Sequence, residues 1–124
     1  MTNRKDIKEK RKHRRFKVKE GAFAASSPFN DRLGRIKDVS KGGLAFQYVG
    51  NTESTQAFHE VEIFSARDGF YLKKLPASTV VDVELDNQVS FASLPTRQLR
   101  VQFGKLNHQQ RLLLDHFIQK YTQR

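Results

Sequence analysis

The chain has 124 residues, 37% of them hydrophobic and ten of them phenylalanine, enough to close one core and hardly two. It contains no cysteine, which excludes a disulfide scaffold, a thiolate-ligated zinc site and a thiol nucleophile. Of the net charge of +10, residues 1–19 contribute +8, from ten Lys+Arg against two Asp+Glu; the rest contributes +2, from 13 against 11. A nearly neutral domain behind a cationic arm points to a polyanion, a phosphate-bearing ligand or an anionic surface. No run approaches the roughly 18 apolar residues of a membrane span, and no apolar stretch follows the start, so a soluble cytoplasmic chain is expected.

In chain order, residues 1–15 offer only Met1 and Ile7 as apolar side chains and are expected to form a flexible arm. Packed structure is expected over 16–122, beginning with a strand at Phe16-Lys17-Val18. Arg35-Ile36-Lys37-Asp38-Val39 reads as alternation at period two, Leu44 to Val49 as an apolar β-favouring run, and Glu60 to Phe64 as alternation again. Ala66-Arg67-Asp68-Gly69 supplies turn chemistry before a short strand at Phe70-Tyr71-Leu72. Val80 to Leu85 and Leu99 to Phe103 complete five or six strands, which favours a small antiparallel barrel or sandwich because closure removes exposed edges. The period then changes. Asn107-x-x-Gln110 predicts a capping box, and Leu113, Phe117 and Tyr121 with Leu114 and Ile118 predict an amphipathic helix over about 107–122, laid across one barrel mouth.

Little in the chain asks for catalysis. The four histidines (His13, His59, His108, His116) form no metal-ligand spacing, and no Gly-x-Ser-x-Gly elbow exists. Asp82, Glu84 and Asp86 alternate and read as a solvated strand face opposite Val81, Val83 and Leu85. No catalytic residue, metal or cofactor is expected. Two segments are more informative. Asp38-Val39-Ser40-Lys41-Gly42-Gly43 is a tight connection in which Asp and Ser cap local amides and glycine takes positive φ. The same residues suit a ligand: Asp38 accepts paired N–H donors such as a guanine edge, Ser40 adds a hydroxyl, and Gly42 and Gly43 let backbone amides come close. In Arg11-Lys12-His13-Arg14-Arg15, Arg11 and Arg15 share one side of the arm, and the arginine fork grips a phosphate or a guanine edge bidentately.

Arg-x-x-x-Arg directly before a first strand, followed by Asp-x-Ser-x-x-Gly, resembles the signature of the PilZ domain. Leu99-Arg100-Val101-Gln102-Phe103 and the helix after it extend the resemblance over about Lys10 to Tyr121. It implies a mainly β fold, a six-stranded antiparallel β-barrel with a C-terminal α-helix, behind a flexible basic N-terminal arm carrying the first motif. It further implies a bacterial receptor for cyclic di-GMP, a ligand of two guanines and two phosphates. By motif position Arg11 and Arg15 hold guanine edges and phosphates, and Asp38, Ser40 and Gly43 hold a guanine from the barrel, with Lys10, Lys12, Arg14 and Gly42 as further candidates. A basic residue at Lys10 favours an intercalated pair of ligand molecules over a single one. The chain departs from the family at Arg100, where many members carry glycine; an arginine there faces solvent or reaches the ligand.

On this reading the ligand orders the arm onto the barrel and creates a surface for an effector protein whose identity the sequence does not name. Two other readings stand beside it: a basic β-barrel that binds nucleic acid with the arm on phosphates and aromatic rings on bases, and a PilZ module that has lost its ligand and serves protein interaction.

Overall fold

The computed structural model describes residues 12–27, 31–50, 57–85 and 95–123. Within them seven strands precede one helix: β1 (Phe16–Lys17), β2 (Ala22–Ser27), β3 (Leu33–Ser40), β4 (Gly43–Val49), β5 (Glu60–Ser65), β6 (Tyr71–Glu84), β7 (Thr96–Phe103) and α1 (His108–Tyr121). All pairings are antiparallel. The order β3-β2-β5-β6-β7-β4 returns to β3 through the β3–β4 hairpin, so six strands close a barrel and the two-residue β1 is laid onto β3.

The alternation expected for Arg35 to Val39 is interrupted, and the interruption matters. Ile36 and Val39 are three apart, so an unbroken strand would send one of them outward. A register shift against β4 between Ile36 and Asp38 resets the phase and lets both be buried. The same shift turns Asp38 and Ser40 to the outer side. A core requirement thus places the second motif on the barrel's exterior.

Strand β2 was not legible as a strand. Ala22 to Ser27 carries few β-favouring side chains, yet β3 and β5 flank it and fill both ladders. Conversely, the two strands expected at 70–72 and 80–85 belong to one 14-residue strand, β6, which bends where Lys74 adopts φ 61° and pairs first with β5 and then with β7.

A second register shift lies between Thr79 and Val81, and Asp82 departs from the solvated face expected for it, while Glu84 is exposed as expected and Asp86 lies outside the described residues. Val81 and Val83 are 42% and 46% exposed, whereas the Asp82 side chain is only 13% exposed, opposite buried Leu99. There Asp82 accepts from the Tyr48 hydroxyl (2.7 Å), and Arg97 donates to it through Nε (2.9 Å) and to its carbonyl (3.0 Å). Burial first, and then the Asp82 carboxylate, push the Tyr48 phenol above its usual value; the hydrogen bond to Asp82 raises Arg97. The reading of Asp82 as a solvated face is corrected: it neutralises an arginine at one barrel mouth.

Helix α1 covers the barrel with Leu114, Phe117 and Ile118. Its capping box forms as the sequence predicts, with Gln110 N–H donating to Asn107 Oδ1 (2.7 Å) and Asn107 N–H to Gln110 Oε1 (3.0 Å). Phe70 joins the helix in an aromatic cluster, its centroid 5.6 Å from Phe117 and 5.7 Å from Tyr121. The last turn is tied to the β5–β6 turn by Asp68, which accepts from the Tyr121 hydroxyl and pairs with Lys120 at 2.9 Å.

Those two donors, Tyr121 first and then Lys120, hold the Asp68 carboxyl below the usual carboxylate range. A depressed folded value means that the stabilisation is complete above the ordinary 3.8 and is lost as pH falls below it through the folded value. Asp68→Asn should therefore lower the urea midpoint at neutral pH, with a gap to wild type that narrows below pH ~3.8. An equal gap at pH 7 and pH ~2.5 would contradict the assignment.

Candidate ligand cleft

The β3–β4 hairpin, the end of β7 and the described end of the arm surround an open cleft of about 480 Å³. Lys12, His13 and Arg15 line it from the arm, Ser40 to Gly43 from the hairpin, and Arg100 and Gln102 from β7. Four permanent cations and no carboxylate are among these described residues, so the lining of the cleft carries net positive charge. A second cavity of about 310 Å³ shares His13, Lys41 and Gly104 with it and runs towards Arg111 and Asp115 of α1.

The hairpin is held by its own serine. Ser40 Oγ accepts from Gly42 N–H (3.1 Å), while Gly42 carbonyl accepts from Phe103 N–H (2.8 Å). Neither Gly42 nor Gly43 has positive φ, so the expectation that this loop needs glycine for a left-handed backbone is corrected. Space is the reason instead. A Cβ on Gly43 would lie 2.2 Å from the carbonyl oxygen of Val101, and one on Gly42 would lie 2.7 Å from Cδ2 of His13. The first clash is with a neighbouring strand's backbone and the second with a side chain that can move. Gly43→Ala is accordingly expected to destabilise by about 2 kcal/mol through forced separation of β4 from β7, and Gly42→Ala by well under ~1 kcal/mol. Thermal melts of the two variants check this; equal losses would contradict it.

The sequence candidates separate by place. Lys12, Arg15, Ser40, Gly42 and Gly43 meet at the cleft. Arg14 does not line it; its guanidinium lies 5.3 Å from the Phe16 ring centroid. Lys10 and Arg11 fall outside the described residues. Asp38 is not in the cleft wall either. Both its oxygens are taken by Arg100, NH1 to Oδ1 at 3.0 Å and NH2 to Oδ2 at 2.9 Å, and it borders a different groove of about 420 Å³ with Lys17 and Arg35.

His13, Lys41, Arg100 and Gln102 were not assigned to the site by sequence reasoning. Lys41 sits inside the second motif and was legible as a cation there. His13 reaches the cleft from the arm, whereas Arg100 and Gln102 join only through strand pairing, which brings Gln102 opposite Gly43 and Arg100 into a row with Ala45 and Asp38. Among the described residues, no group of three or more His, Asp or Glu side chains is placed to hold a metal ion. No helix among them is long and apolar enough to cross a membrane.

A closed six-stranded antiparallel barrel with an added strand, a helix over its core and a motif-bearing hairpin at its rim is the PilZ architecture, and the chain has this fold. Its structure is similar to the PilZ domain, with c-di-GMP, of YcgR from Escherichia coli (TM-score 0.68, 16% identity, covering 91% of this chain and 92% of that one). It is also similar to the c-di-GMP complex of K. pneumonia MrkH (TM-score 0.66, 14% identity, 90% of this chain, 52% of that one). A further structure of MrkH, described as a c-di-GMP-dependent transcription regulatory factor, matches at TM-score 0.59 and 21% identity, over 90% of this chain and 50% of that one. The chain thus spans about half of the MrkH chains. Neither a family model nor a curated protein matches the sequence.

Proposed function

We propose that the protein is a receptor for cyclic di-GMP, bound in the cleft between the arm and the β3–β4 hairpin. The observation that carries the proposal is the meeting of Arg15 with Ser40, Gly42 and Gly43 around a cationic space free of carboxylates, on a fold whose neighbours are structures with c-di-GMP. Two phosphodiesters suit the basic side chains, and guanine edges suit arginine forks and hairpin amides. Arg11 and Arg15 grip the ligand from the arm, Ser40 and Gly43 form the barrel side, and Asp38 stands behind the cleft wall, paired with Arg100. The adjoining cavity beyond His13 and Lys41 supports a pair of ligand molecules. Binding draws residues 1–15 onto the barrel, and the combined surface of arm, ligand and barrel is what an effector protein reads. The protein works in this reading as a cytoplasmic adaptor, without catalysis.

The nucleic-acid reading needs exposed rings for base stacking. Among the described residues the exposed large aromatic side chain is Tyr71, which does not line the cleft. Isothermal titration calorimetry with cyclic di-GMP, GTP and single-stranded DNA separates the readings. Saturable binding of cyclic di-GMP alone is expected. Binding only to DNA, stronger for longer oligomers and steeply weakened by salt, would overturn the proposal in favour of the nucleic-acid barrel.

A further inference from the structure

Arg100 departs from the glycine that PilZ domains often carry at this place, and its surroundings give it a defined geometry. On the outer face, Arg100 of β7 pairs with Ala45 of β4, and Ala45 pairs with Asp38 of β3. The methyl side chain of Ala45 lets the guanidinium lie across the intervening strand and meet the carboxylate end-on, at 3.0 and 2.9 Å. On its other flank the row continues into exposed Val81, which offers no polar partner.

We propose that Arg100 is a ligand-contacting residue of the cleft and that Asp38 is the positioning residue that aims it. This rests on the cyclic di-GMP reading and sharpens the place of Asp38 within it. Arg100 lines the cleft and Asp38 does not, so an anion or a base entering from the arm side meets the guanidinium before the carboxylate. End-on pairing through NH1 and NH2 leaves Nε–H, the outer hydrogens and both planar faces of the group without a hydrogen-bond partner among the described residues. A guanidinium so held can donate to a phosphodiester oxygen or stack on guanine without breaking its pair. The fork is pre-organised, so little side-chain entropy is lost on binding. A lysine at the same position would keep the charge and lose the two-point hold on Asp38.

The test is calorimetric titration of cyclic di-GMP into the full chain and into Arg100→Ala, Arg100→Gln, Arg100→Lys, Asp38→Asn and the double variant Arg100→Ala/Asp38→Asn, each checked for an unchanged melt. Arg100→Ala and Arg100→Gln are expected to weaken binding about 10-fold or more, as for loss of a charge-assisted contact, with Arg100→Lys recovering only part. Asp38→Asn should weaken binding in the wild-type background and add almost nothing in the Arg100→Ala background, since it acts through Arg100. Unchanged or tighter binding by the folded Arg100→Ala variant would overturn the inference, because Arg100 would then be idle or a competitor for Asp38. A full additional loss on adding Asp38→Asn would overturn the positioning role alone. If the wild type takes up no cyclic di-GMP, the receptor reading and this inference fall together.

Discussion

Replacing Arg11 and Arg15 together by alanine is expected to weaken cyclic di-GMP binding by at least about 100-fold while leaving the melting temperature within a degree or two of wild type. The magnitude follows from the chemistry of the ligand. Each guanidinium offers charge-assisted hydrogen bonds to a phosphate or a guanine edge worth about 1.5–3 kcal/mol, and the loss of two exceeds the ~2.7 kcal/mol that corresponds to 100-fold. The indifference of stability follows from position. Arg15 is exposed at the cleft, in the short segment before β1, and the buried core is built from the barrel strands and α1. Calorimetry alongside a thermal melt checks both halves. Binding within ~3-fold of wild type would remove the arm from the site.

The largest stability effect is expected at the opposite kind of residue. Asp82→Ala should cost about 3 kcal/mol and lower Tm by roughly 10 °C, because it removes the carboxylate that neutralises Arg97 and accepts from the buried Tyr48 hydroxyl, leaving Arg97 the backbone carbonyl of residue 82 alone at this position. Asp82→Asn, which keeps an acceptor but not the charge, should lose less. The pairing of Val81 with Arg100 and of Asp82 with Leu99 puts the two residues on different faces, so Asp82 variants that remain folded should bind cyclic di-GMP with near-normal affinity. Urea denaturation checks the prediction; a loss below about 1 kcal/mol for Asp82→Ala would show the network to be solvated rather than structural.

Asp38 and Asp82 show how far the sequence carries. Both are carboxylates in β-favouring segments, and the spacing of their neighbours suggests simple alternation. In each strand a register shift resets the phase, between Ile36 and Asp38 in one and between Thr79 and Val81 in the other. The first shift is readable in retrospect, since Ile36 and Val39 cannot both face inward at period two. The second is not, because three valines in four residues suggest an inward face, yet all three are exposed. Local chemistry was more transparent: the capping box at Asn107 and Gln110, the apolar face of α1 and the Ser40 turn are all set by contacts within a few residues. Strand β2 escaped notice because its alanines carry no propensity of their own and are recruited by partners distant in sequence.

The site divides in the same way. Arg15, Ser40 and the two glycines stand in motifs whose spacing is local, and they meet in the cleft. Arg100 is 62 residues from Asp38, and its fork on that carboxylate depends on the register of three strands and on the small side chain of Ala45 between them. The role assigned to Gly43 also changes character. Its missing side chain lets β4 and β7 approach, which makes it a structural requirement of the barrel.

The most direct test of the central claim is an amide NMR titration of the labelled full chain with cyclic di-GMP. Saturating shifts are expected at Arg15, Ser40, Lys41, Gly43, Arg100 and Gln102, with Tyr48, Asp82 and Arg97 unmoved. A spectrum unchanged at excess ligand, or shifts centred on the Asp82 mouth, would contradict it.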